Sequence, residues 1–244
     1  MKENEMIFGI RAVIEALNAG KEIDRILMKR DLQSELSKEL FNALKDREVA
    51  VQRVPAEKLD RITRKNHQGV IAFVSAIEYE SLESVVPFLY EQGKDPFIVL
   101  LDGITDVRNF GAIARTCECA GVDALVIPQR GSASVGSDAV KTSVGALMVL
   151  PVCKEKSINE SIRFLKNSGF KVVAATEKGG ETYTEPDYKG PVAIVMGAED
   201  VGVSPENLRI CAHLVSIPQF GTIGSLNVSV ATGIMLYEVV RSRS

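Results

Sequence analysis

Three apolar stretches downstream of residue 96 each end at a turn that contains glycine and polar residues. They end at Leu101, Met196 and Ile217, and the first two run directly into Asp102-Gly103 and Gly197-Ala198-Glu199. Helical patterns follow these turns, which is typical of strands in a parallel sheet that helices cover on both faces. Such sheets bind ligands at the carboxyl ends of their strands. The three turns therefore predict an α/β fold with a ligand site at one edge of the sheet.

The rest of that region alternates between strand and helix patterns. Apolar runs predict strands at residues 97–101, 124–127, 149–153, 171–175, 192–196 and 214–217. Helical spacing predicts helices at about 109–120, 139–145, 157–168 and 227–241, with a short helix opening at Ser204-Pro205-Glu206. Strands separated by helices predict one domain, residues 97–244, whose mostly parallel sheet carries helices on both faces.

The upstream part of the chain predicts a smaller α/β domain at residues 1–78. The pattern there indicates helices at 9–19, 34–45 and 55–62, and strands at 24–28, 49–54 and 70–77. The pattern weakens between residues 79 and 96, where prolines and a glycine flank one helix predicted near 82–90. Residues 79–96 are therefore predicted to link the two domains.

The composition limits the class of protein. With 45% hydrophobic and 25% charged residues, the chain has the composition of a folded globular protein. No apolar run approaches the roughly 20 residues that a membrane-spanning helix needs, so no membrane partner is expected. Residues 1–5 are too short and too acidic for a targeting segment, and a cytoplasmic location is expected.

The four cysteines lack the paired spacing of a zinc site, so no metal is expected. They are Cys117, Cys119, Cys153 and Cys211. Reduced thiols are the ordinary state of cysteines in a cytoplasmic protein. Cys117 and Cys119 lie two residues apart on one predicted helix, and both are expected to pack.

Two common nucleotide-binding signatures are absent. The chain has neither a G-x-G-x-x-G sequence after its first strand nor a phosphate-binding G-x-x-x-x-G-K-[ST] loop, which argues against both families. The formal net charge of −3 weighs against a nucleic-acid partner. However, Arg61, Arg64, Lys65 and His67 lie within residues 61–68 with no acid among them. An RNA partner therefore stays open.

The three turns carry a resemblance to a known family. They read Asp102-Gly-x-Thr-Asp-x-x-Asn109-x-Gly111 followed by Arg115, then Met196-Gly-Ala-Glu-x-x-Gly202, then Ile217-Pro and Ser225-Leu-Asn-Val-Ser-Val-Ala231. In this order they resemble the three motifs of the SpoU (TrmH) family of RNA ribose 2′-O-methyltransferases. The resemblance covers residues 97–244. Upstream, His67-Gln-Gly-Val-Ile-Ala72 resembles the substrate-binding domain of some members, a small fold like ribosomal protein L30.

The resemblance implies a fold, a cofactor and a reaction. The fold is the α/β domain with a deep trefoil knot, and the assembly is a homodimer. The cofactor is S-adenosyl-L-methionine. The reaction is 2′-O-methylation of a guanosine ribose in 23S rRNA, since the whole chain most resembles family members with that substrate. Two alternatives stay open: the same reaction on tRNA, and a non-catalytic RNA-binding protein that has kept the fold.

The resemblance also implies which residues form the site. Arg115, Asn109, Glu199, Ser225 and Asn227 match the catalytic positions of the motifs. Gly197, Ile217 and Leu226 match positions whose backbone groups hold the cofactor. An arginine loses its proton only above roughly pH 12, so Arg115 is expected to act as a fixed cation beside a phosphate or an alkoxide. Glu199 is expected to orient Arg115 or the substrate hydroxyl.

Each of these residues also has a purely structural interpretation. Arg115 could pair with a nearby acid on its helix, and Asn109 could be an N-cap. Glu199 could be a solvated loop acid, while Ser225 and Asn227 could cap the last helix. Ile217 and Leu226 could simply pack.

Overall fold

The computed structural model describes residues 6–45, 47 and 49–244, which form two compact units. The first unit consists of the residues up to Glu78 together with Ser134–Ser137. The second unit consists of Tyr79–Ala133 and Asp138–Ser244. The expectation that residues 1–5 are no targeting segment lies outside the described residues. No helix in the described part of the chain is long and apolar enough to cross a membrane.

In its described residues, the first unit is a four-stranded mixed sheet with three α-helices. Its strands are β1 (Met6–Phe8), β2 (Ile23–Lys29), β3 (Ala50–Val54) and β4 (Val70–Val74), and its helices are α1 (Ile10–Asn18), α2 (Glu35–Leu44) and α3 (Ala56–Ile62). The strand order is β1-β4-β2-β3, with β4 antiparallel to both neighbours and β2 parallel to β3. The sequence did not predict β1, because three residues are too few for a strand pattern.

The sheet of the first unit buries apolar side chains on both faces. Ile26, Met28 and Val70 pack in one cluster with the apolar residues of α1 and α2. Leu27 and Ile71, which alternate with them along the strands, pack in a second cluster with Leu59 of α3. The alternation of the strands therefore divides the helices between the two faces.

The second unit contains seven strands and six α-helices. The strands are β5 (Phe97–Asp102), β6 (Ala124–Pro128), β7 (Val152–Glu155), β8 (Lys171–Ala175), β9 (Glu181–Thr182), β10 (Val192–Gly197) and β11 (His213–Ser216). The helices are α4 (Leu82–Glu91), α5 (Val107–Cys119), α6 (Ser137–Thr142), α7 (Ile158–Asn167), α8 (Pro205–Leu208) and α9 (Val228–Arg243). The strand order is β7-β6-β5-β10-β8-β11-β9, and every neighbouring pair is parallel. The predicted α/β fold with a mostly parallel sheet is confirmed.

Helices cover both faces of this sheet. Ile98 and Leu100 of β5 lie in one apolar cluster with buried residues of α4 and α7. Val99 and Leu101 alternate with them and are also buried. On that second face α9 contacts β10 and packs against α5. Helix α4 lies inside the segment that the sequence assigned to a linker, and its apolar side is part of this core.

The structure differs from the sequence pattern around residue 145. The predicted helix 139–145 ends at Thr142, and a 3-10 helix, Ala146–Met148, follows. Val144 and Gly145 have φ angles of 53° and 87°, a left-handed conformation that no α-helix can continue. The predicted strand at 149–153 consequently begins at Val152, after Pro151.

Arg243, near the end of α9, joins this helix to two strands of the sheet. Its guanidinium lies 5.2 Å from the centroid of the Phe97 ring. It donates hydrogen bonds of 2.6–3.4 Å to the carbonyls of Asp95, Pro96, Tyr188 and Gly190. Burial lowers the pKa of Arg243. Because these carbonyls precede β5 and β10, the guanidinium fixes α9 at the amino ends of both strands.

Candidate active site

The turns that the sequence singled out gather at one edge of the second sheet. Strands β5 and β10 are adjacent and parallel, and Asp102 lies opposite Gly197 in their register. Strand β11 runs in the same direction one strand further on, beyond β8. The turn after each strand therefore opens at the carboxyl edge, as predicted.

Helix α5 begins at the first of these turns, and its N-cap is Asp106. The Asp106 carboxylate accepts hydrogen bonds from the backbone N–H groups of Arg108 and Asn109 at 2.9 and 2.8 Å. The interpretation of Asn109 as the N-cap is therefore wrong. Asn109 lies in the first turn of α5, where its side chain is available for another contact.

That contact is with Asn227, the N-cap of α9. Asn227 Oδ1 accepts from the Ser229 backbone N–H at 3.0 Å, so the capping interpretation of Asn227 is confirmed. Its Nδ2 donates to Asn109 Oδ1 at 3.0 Å and to Glu199 Oε1 at 2.5 Å. Glu199 Oε1 also accepts from the Val228 backbone N–H at 3.3 Å. One amide group thus joins all three motifs.

The bonding of this cluster determines which of its atoms can meet a ligand. Both hydrogens of Asn227 Nδ2 are engaged, and its Oδ1 accepts from both the backbone N–H and the hydroxyl of Ser229. Asn109 Nδ2 and Glu199 Oε2 have no hydrogen-bond partner within the described residues. The site therefore presents an amide donor and a carboxylate acceptor, with Asn227 holding both in place.

Arg115 is exposed and makes no ion pair or side-chain hydrogen bond within the described residues. It therefore does not pair with a nearby acid. Six residues separate it from Asn109, which places it about 9 Å further along α5 and on a different side of the helix. The hydrogen bonds of Glu199 go to Asn227 and Val228, so in this structure Glu199 does not orient Arg115.

A cavity of about 300 Å³ opens beside Glu199 at the same edge of the sheet. Its lining includes all three residues predicted to hold a cofactor: Gly197, Ile217 and Leu226. Ser225 lines it as well; since Asn227 is the N-cap of α9, the capping interpretation of Ser225 is wrong.

One wall of this cavity was not predicted from the sequence. Thr176, Glu177 and Lys178 follow β8 and line the cavity, and two glycines come next. This is again a strand that ends at a polar turn with glycine. The pattern used for the other three turns could have found it.

Gly197 is required by a close approach of the backbone. A Cβ atom at this position would collide with backbone atoms of Gly202 and Val203. The chain folds back here because the Gly202 N–H donates to the carbonyl of Ala198 at 2.8 Å. The segment Ala198–Val203, which carries Glu199, therefore forms a compact wall of the cavity.

The cysteines and acids form no metal cluster in the part of the chain that the structure describes. Cys117 and Cys153 are buried and Cys211 is half-buried, whereas Cys119 is exposed. The expectation that Cys119 packs is therefore wrong. All four cysteines are free thiols.

Comparisons with known proteins agree with this architecture. The SpoU rRNA methylase family matches residues 96–237, and the RNA 2′-O ribose methyltransferase substrate-binding family matches residues 6–80. A Staphylococcus saprophyticus protein assigned to the TrmH family of tRNA/rRNA methyltransferases is 34% identical over 242 residues, covering 99% of this chain and 97% of its own length.

Two solved structures extend the comparison. The AdoMet-bound rRNA methyltransferase from Sinorhizobium meliloti is 29% identical, with a TM-score of 0.63 over 97% of this chain and 87% of its own. The TrmH/SpoU tRNA-modifying enzyme of A. aeolicus is 34% identical, with a TM-score of 0.56 over 66% of this chain and 83% of its own.

The fold and the site define an RNA methyltransferase with a parallel α/β catalytic unit. This chain belongs to the SpoU rRNA methylase family.

Proposed function

We propose that the chain transfers a methyl group from S-adenosylmethionine to the 2′-hydroxyl of a guanosine in 23S rRNA. The observation that carries this proposal is the cluster of Asn109, Asn227 and Glu199 beside the cavity. It places an amide donor and a carboxylate acceptor at the same edge of the sheet as the residues matched to cofactor binding.

The cavity fits S-adenosylmethionine by its position and its charge. The bound cofactor supplies a methyl group on a positively charged sulfur, which leaves as a neutral thioether. The lining contains the acids Glu177, Glu199 and Asp200 and a single cation, Lys178. This acidic balance suits a cationic ligand. Backbone groups at Gly197, Ile217 and Leu226 would hold the cofactor.

The ribose hydroxyl is a weak nucleophile, because it is almost wholly protonated at neutral pH. The side chains can hold it close to the methyl group and stabilise the negative charge that develops on its oxygen. Glu199 Oε2 would accept the hydrogen bond of the hydroxyl, and Asn109 Nδ2 would donate to the substrate. Arg115 would bind a phosphate or the developing alkoxide, and Ser225 would contact the nucleoside.

The first unit offers a group of exposed cations for RNA at one end of its sheet. The carboxyl ends of β1, β2 and β3 meet the start of β4 there. Exposed cations on these ends and on the adjoining α3 and loop are Lys29, Arg30, Lys58, Arg61 and Arg64, none with a side-chain partner within the described residues. Unpaired cations of this kind bind phosphate groups.

The choice of rRNA over tRNA is supported by how much of the chain each solved structure matches. The rRNA methyltransferase of Sinorhizobium meliloti covers 97% of this chain, and thus both units. The tRNA-modifying enzyme of A. aeolicus covers only 66%. We propose a cytoplasmic location together with the rRNA substrate.

The trefoil knot and the L30-like character of the first unit are part of the same proposal. The knot is supported by the match of residues 96–237 to the SpoU rRNA methylase family, and the L30-like character by the match of residues 6–80 to the substrate-binding family. A crystal structure would test both features directly.

A homodimer is supported by the apolar surroundings of α5. This helix packs against α9 and the 3-10 helix at residues 146–148. In and beside these two neighbours, large apolar side chains remain exposed: Val144, Met148, Val149, Val230 and Tyr237. Exposed apolar patches of this kind mark sites of association.

The function is tested with unmodified 23S rRNA and tRNA transcripts, labelled S-adenosylmethionine and nucleoside mass spectrometry. We expect label in 2′-O-methylguanosine from 23S rRNA alone. Label only in tRNA would preserve the reaction and overturn the substrate. No label in either transcript, combined with no binding of S-adenosylmethionine in calorimetry, would favour the non-catalytic RNA-binding protein.

A further inference from the structure

We propose that Asp102 is a positioning residue that holds the cavity wall carrying Glu199 and thereby sets the affinity for S-adenosylmethionine. The inference rests on the proposed function. Asp102 lies behind the cavity wall rather than in it.

Asp102 receives two hydrogen bonds from the far end of this wall. It is the last residue of β5, and its Oδ2 accepts from the Ser204 backbone N–H at 2.8 Å and from Asn207 Nδ2 at 2.9 Å. Both donors lie just beyond the segment Ala198–Val203. A carboxylate that accepts from two partly buried donors binds them more strongly than a neutral acceptor would.

The wall is fixed at both of its ends and by the hydrogen bonds that Glu199 accepts from Asn227 and Val228. Gly197, at its start, is part of β10 and pairs in register with Asp102. Every residue of Ala198–Val203 lines the cavity, and the Gly202–Ala198 hydrogen bond closes the segment into a turn. At its end, the bond from Ser204 to Asp102 ties the segment to the neighbouring strand. Asp102 therefore holds the end of the wall against the sheet.

A chain of hydrogen bonds supports this contact from the surface. Asn207 is only 2% exposed, and its Oδ1 accepts from Asn159 Nδ2 at 3.1 Å. Asn159 Oδ1 in turn accepts from Arg163 Nε at 3.0 Å. In this series of hydrogen bonds each residue donates to the next, from the Arg163 cation on α7 to the Asp102 carboxylate on β5. Such a one-way chain fixes the orientation of both asparagine amides and strengthens each bond.

Asp123 provides a matched control at the opposite end of the same strand. Its Oδ2 accepts from the Phe97 backbone N–H at 2.8 Å, and its Oδ1 pairs with Lys94 at 3.2 Å. Asp123 thus also joins a carboxylate to a backbone amide at an end of β5. It does not line the cavity.

The test compares Asp102→Ala, Asp102→Asn and Asp123→Ala by calorimetric titration with S-adenosylmethionine, at a temperature where circular dichroism shows each variant folded. We expect Asp102→Ala to weaken binding about tenfold, the loss of a hydrogen bond to a charged group. Asp102→Asn should recover most of the affinity, because its carbonyl oxygen can accept both bonds. Asp123→Ala should lower the melting temperature but leave the affinity within about twofold.

Amide hydrogen exchange supplies a readout that does not depend on the cofactor. Asp102→Ala should speed exchange at Ser204 and along Ala198–Val203, and Asp123→Ala should not. Unchanged exchange there would overturn the inference, as would equal affinities in Asp102→Ala and the unaltered protein. A wild-type chain that fails to bind S-adenosylmethionine refutes the proposed function instead, and exchange still decides whether Asp102 holds the wall.

Should Asp102→Ala fail to fold, Asn159→Ala breaks the chain of donors at a half-buried position on α7. We expect a weaker effect, about threefold in affinity, together with faster exchange at Ser204. No change in either quantity would overturn the inference.

Discussion

Asn227 donates its side-chain amide to Asn109 at 3.0 Å, so a single hydrogen bond joins the N-cap of α9 to the first turn of α5. The same nitrogen also bonds Glu199 in the turn after β10. Three segments that are far apart in the sequence are thus held by one side chain. Since this amide has no bonding capacity left, Asn227 organises the site, while Asn109 and Glu199 present the atoms that can meet a substrate.

Replacing Asn227 with aspartate separates its role as the N-cap of α9 from its hydrogen bonds to Asn109 and Glu199. Aspartate is as good an N-cap as asparagine, so α9 should keep its start, and the loss of stability should stay within the roughly 3 kcal/mol of a hydrogen bond to a charged group. Both donors to Asn109 and Glu199 are lost, however, and two carboxylates then face each other. We expect methyl transfer to fall by at least about a hundredfold.

The measurement is the rate of methyl transfer at saturating cofactor, together with urea unfolding. Asn227→Ser is the control for a neutral cap that lacks the amide, and it should be inactive as well. Full activity in either variant would show that the amide bridge is dispensable.

Replacing Arg115 with alanine should affect chemistry more than binding. Arg115 is exposed and unpaired within the described residues, so its loss removes no internal contact and should leave the stability unchanged. Without the fixed cation, methyl transfer should fall by at least about a hundredfold, while calorimetry shows nearly unchanged binding of S-adenosylmethionine.

Arg108→Ala is the matched control, because Arg108 is exposed on the same helix and its side chain is likewise unpaired within the described residues. It should retain most of the activity. Equal loss of cofactor binding and turnover in Arg115→Ala would instead point to a structural role.

Adding one methyl group at Gly197 should be costly. The new Cβ would collide with the backbone of Gly202 and Val203, so the wall of the cavity must move. We expect Gly197→Ala to lose at least about 2 kcal/mol of stability and to bind the cofactor poorly. Gly221→Ala, where a Cβ meets nothing within 4 Å, should be neutral in both thermal unfolding and calorimetry. Equal behaviour of the two variants would contradict the close approach.

The cysteines should differ sharply in reactivity. Burial raises the pKa of Cys153 to about 12, with Glu155 and Glu80 adding to the effect, and burial raises that of Cys211 to about 11. Burial also raises the pKa of Cys117. Because the thiolate is the reactive form, only the exposed Cys119 should react rapidly with a disulfide reagent at about pH 8.

Mass spectrometry of the labelled native protein checks this order, and Cys119→Ser should remove the fast phase. Rapid labelling of Cys117 in the folded protein would show that α5 opens more readily than its packing suggests.

The proposed dimer predicts the effect of a charge on α9. Tyr237 is 52% exposed on a helix whose exposed and buried sides are both apolar. Tyr237→Glu should shift the sedimentation coefficient from dimer to monomer, because an unpaired charge is costly in an interface. Phe88→Glu, at a comparably exposed position on α4, should leave it unchanged. A monomeric wild-type protein would refute the dimer.

The sequence predicted secondary structure best where apolar residues form continuous runs or recur at helical spacing. Strands β5 and β10 and helix α5 were predicted nearly to the residue, because continuous apolar runs and amphipathic spacing are set by burial. Strands β1 and β9 were missed, since two or three residues carry no measurable period.

The candidate site was predicted as a set of residues but not as an arrangement. Asn109 and Asn227 each lie at the predicted start of a helix. From the sequence, each could therefore be taken as an N-cap. Only the structure shows that Asp106 caps α5, which leaves Asn109 to bond Asn227. A contact between residues 118 positions apart leaves no periodic signal in a single sequence.

The contacts of Arg243 have a consequence for how the chain is made. Synthesis runs from the amino to the carboxyl terminus, so the carbonyls of Asp95, Pro96 and Gly190 leave the ribosome well before the guanidinium that bonds them. Until α9 emerges, the amino ends of β5 and β10 are held by strand pairing without the guanidinium. A nascent chain stalled before Arg243 should therefore remain sensitive to proteases there, and release of α9 should bring protection.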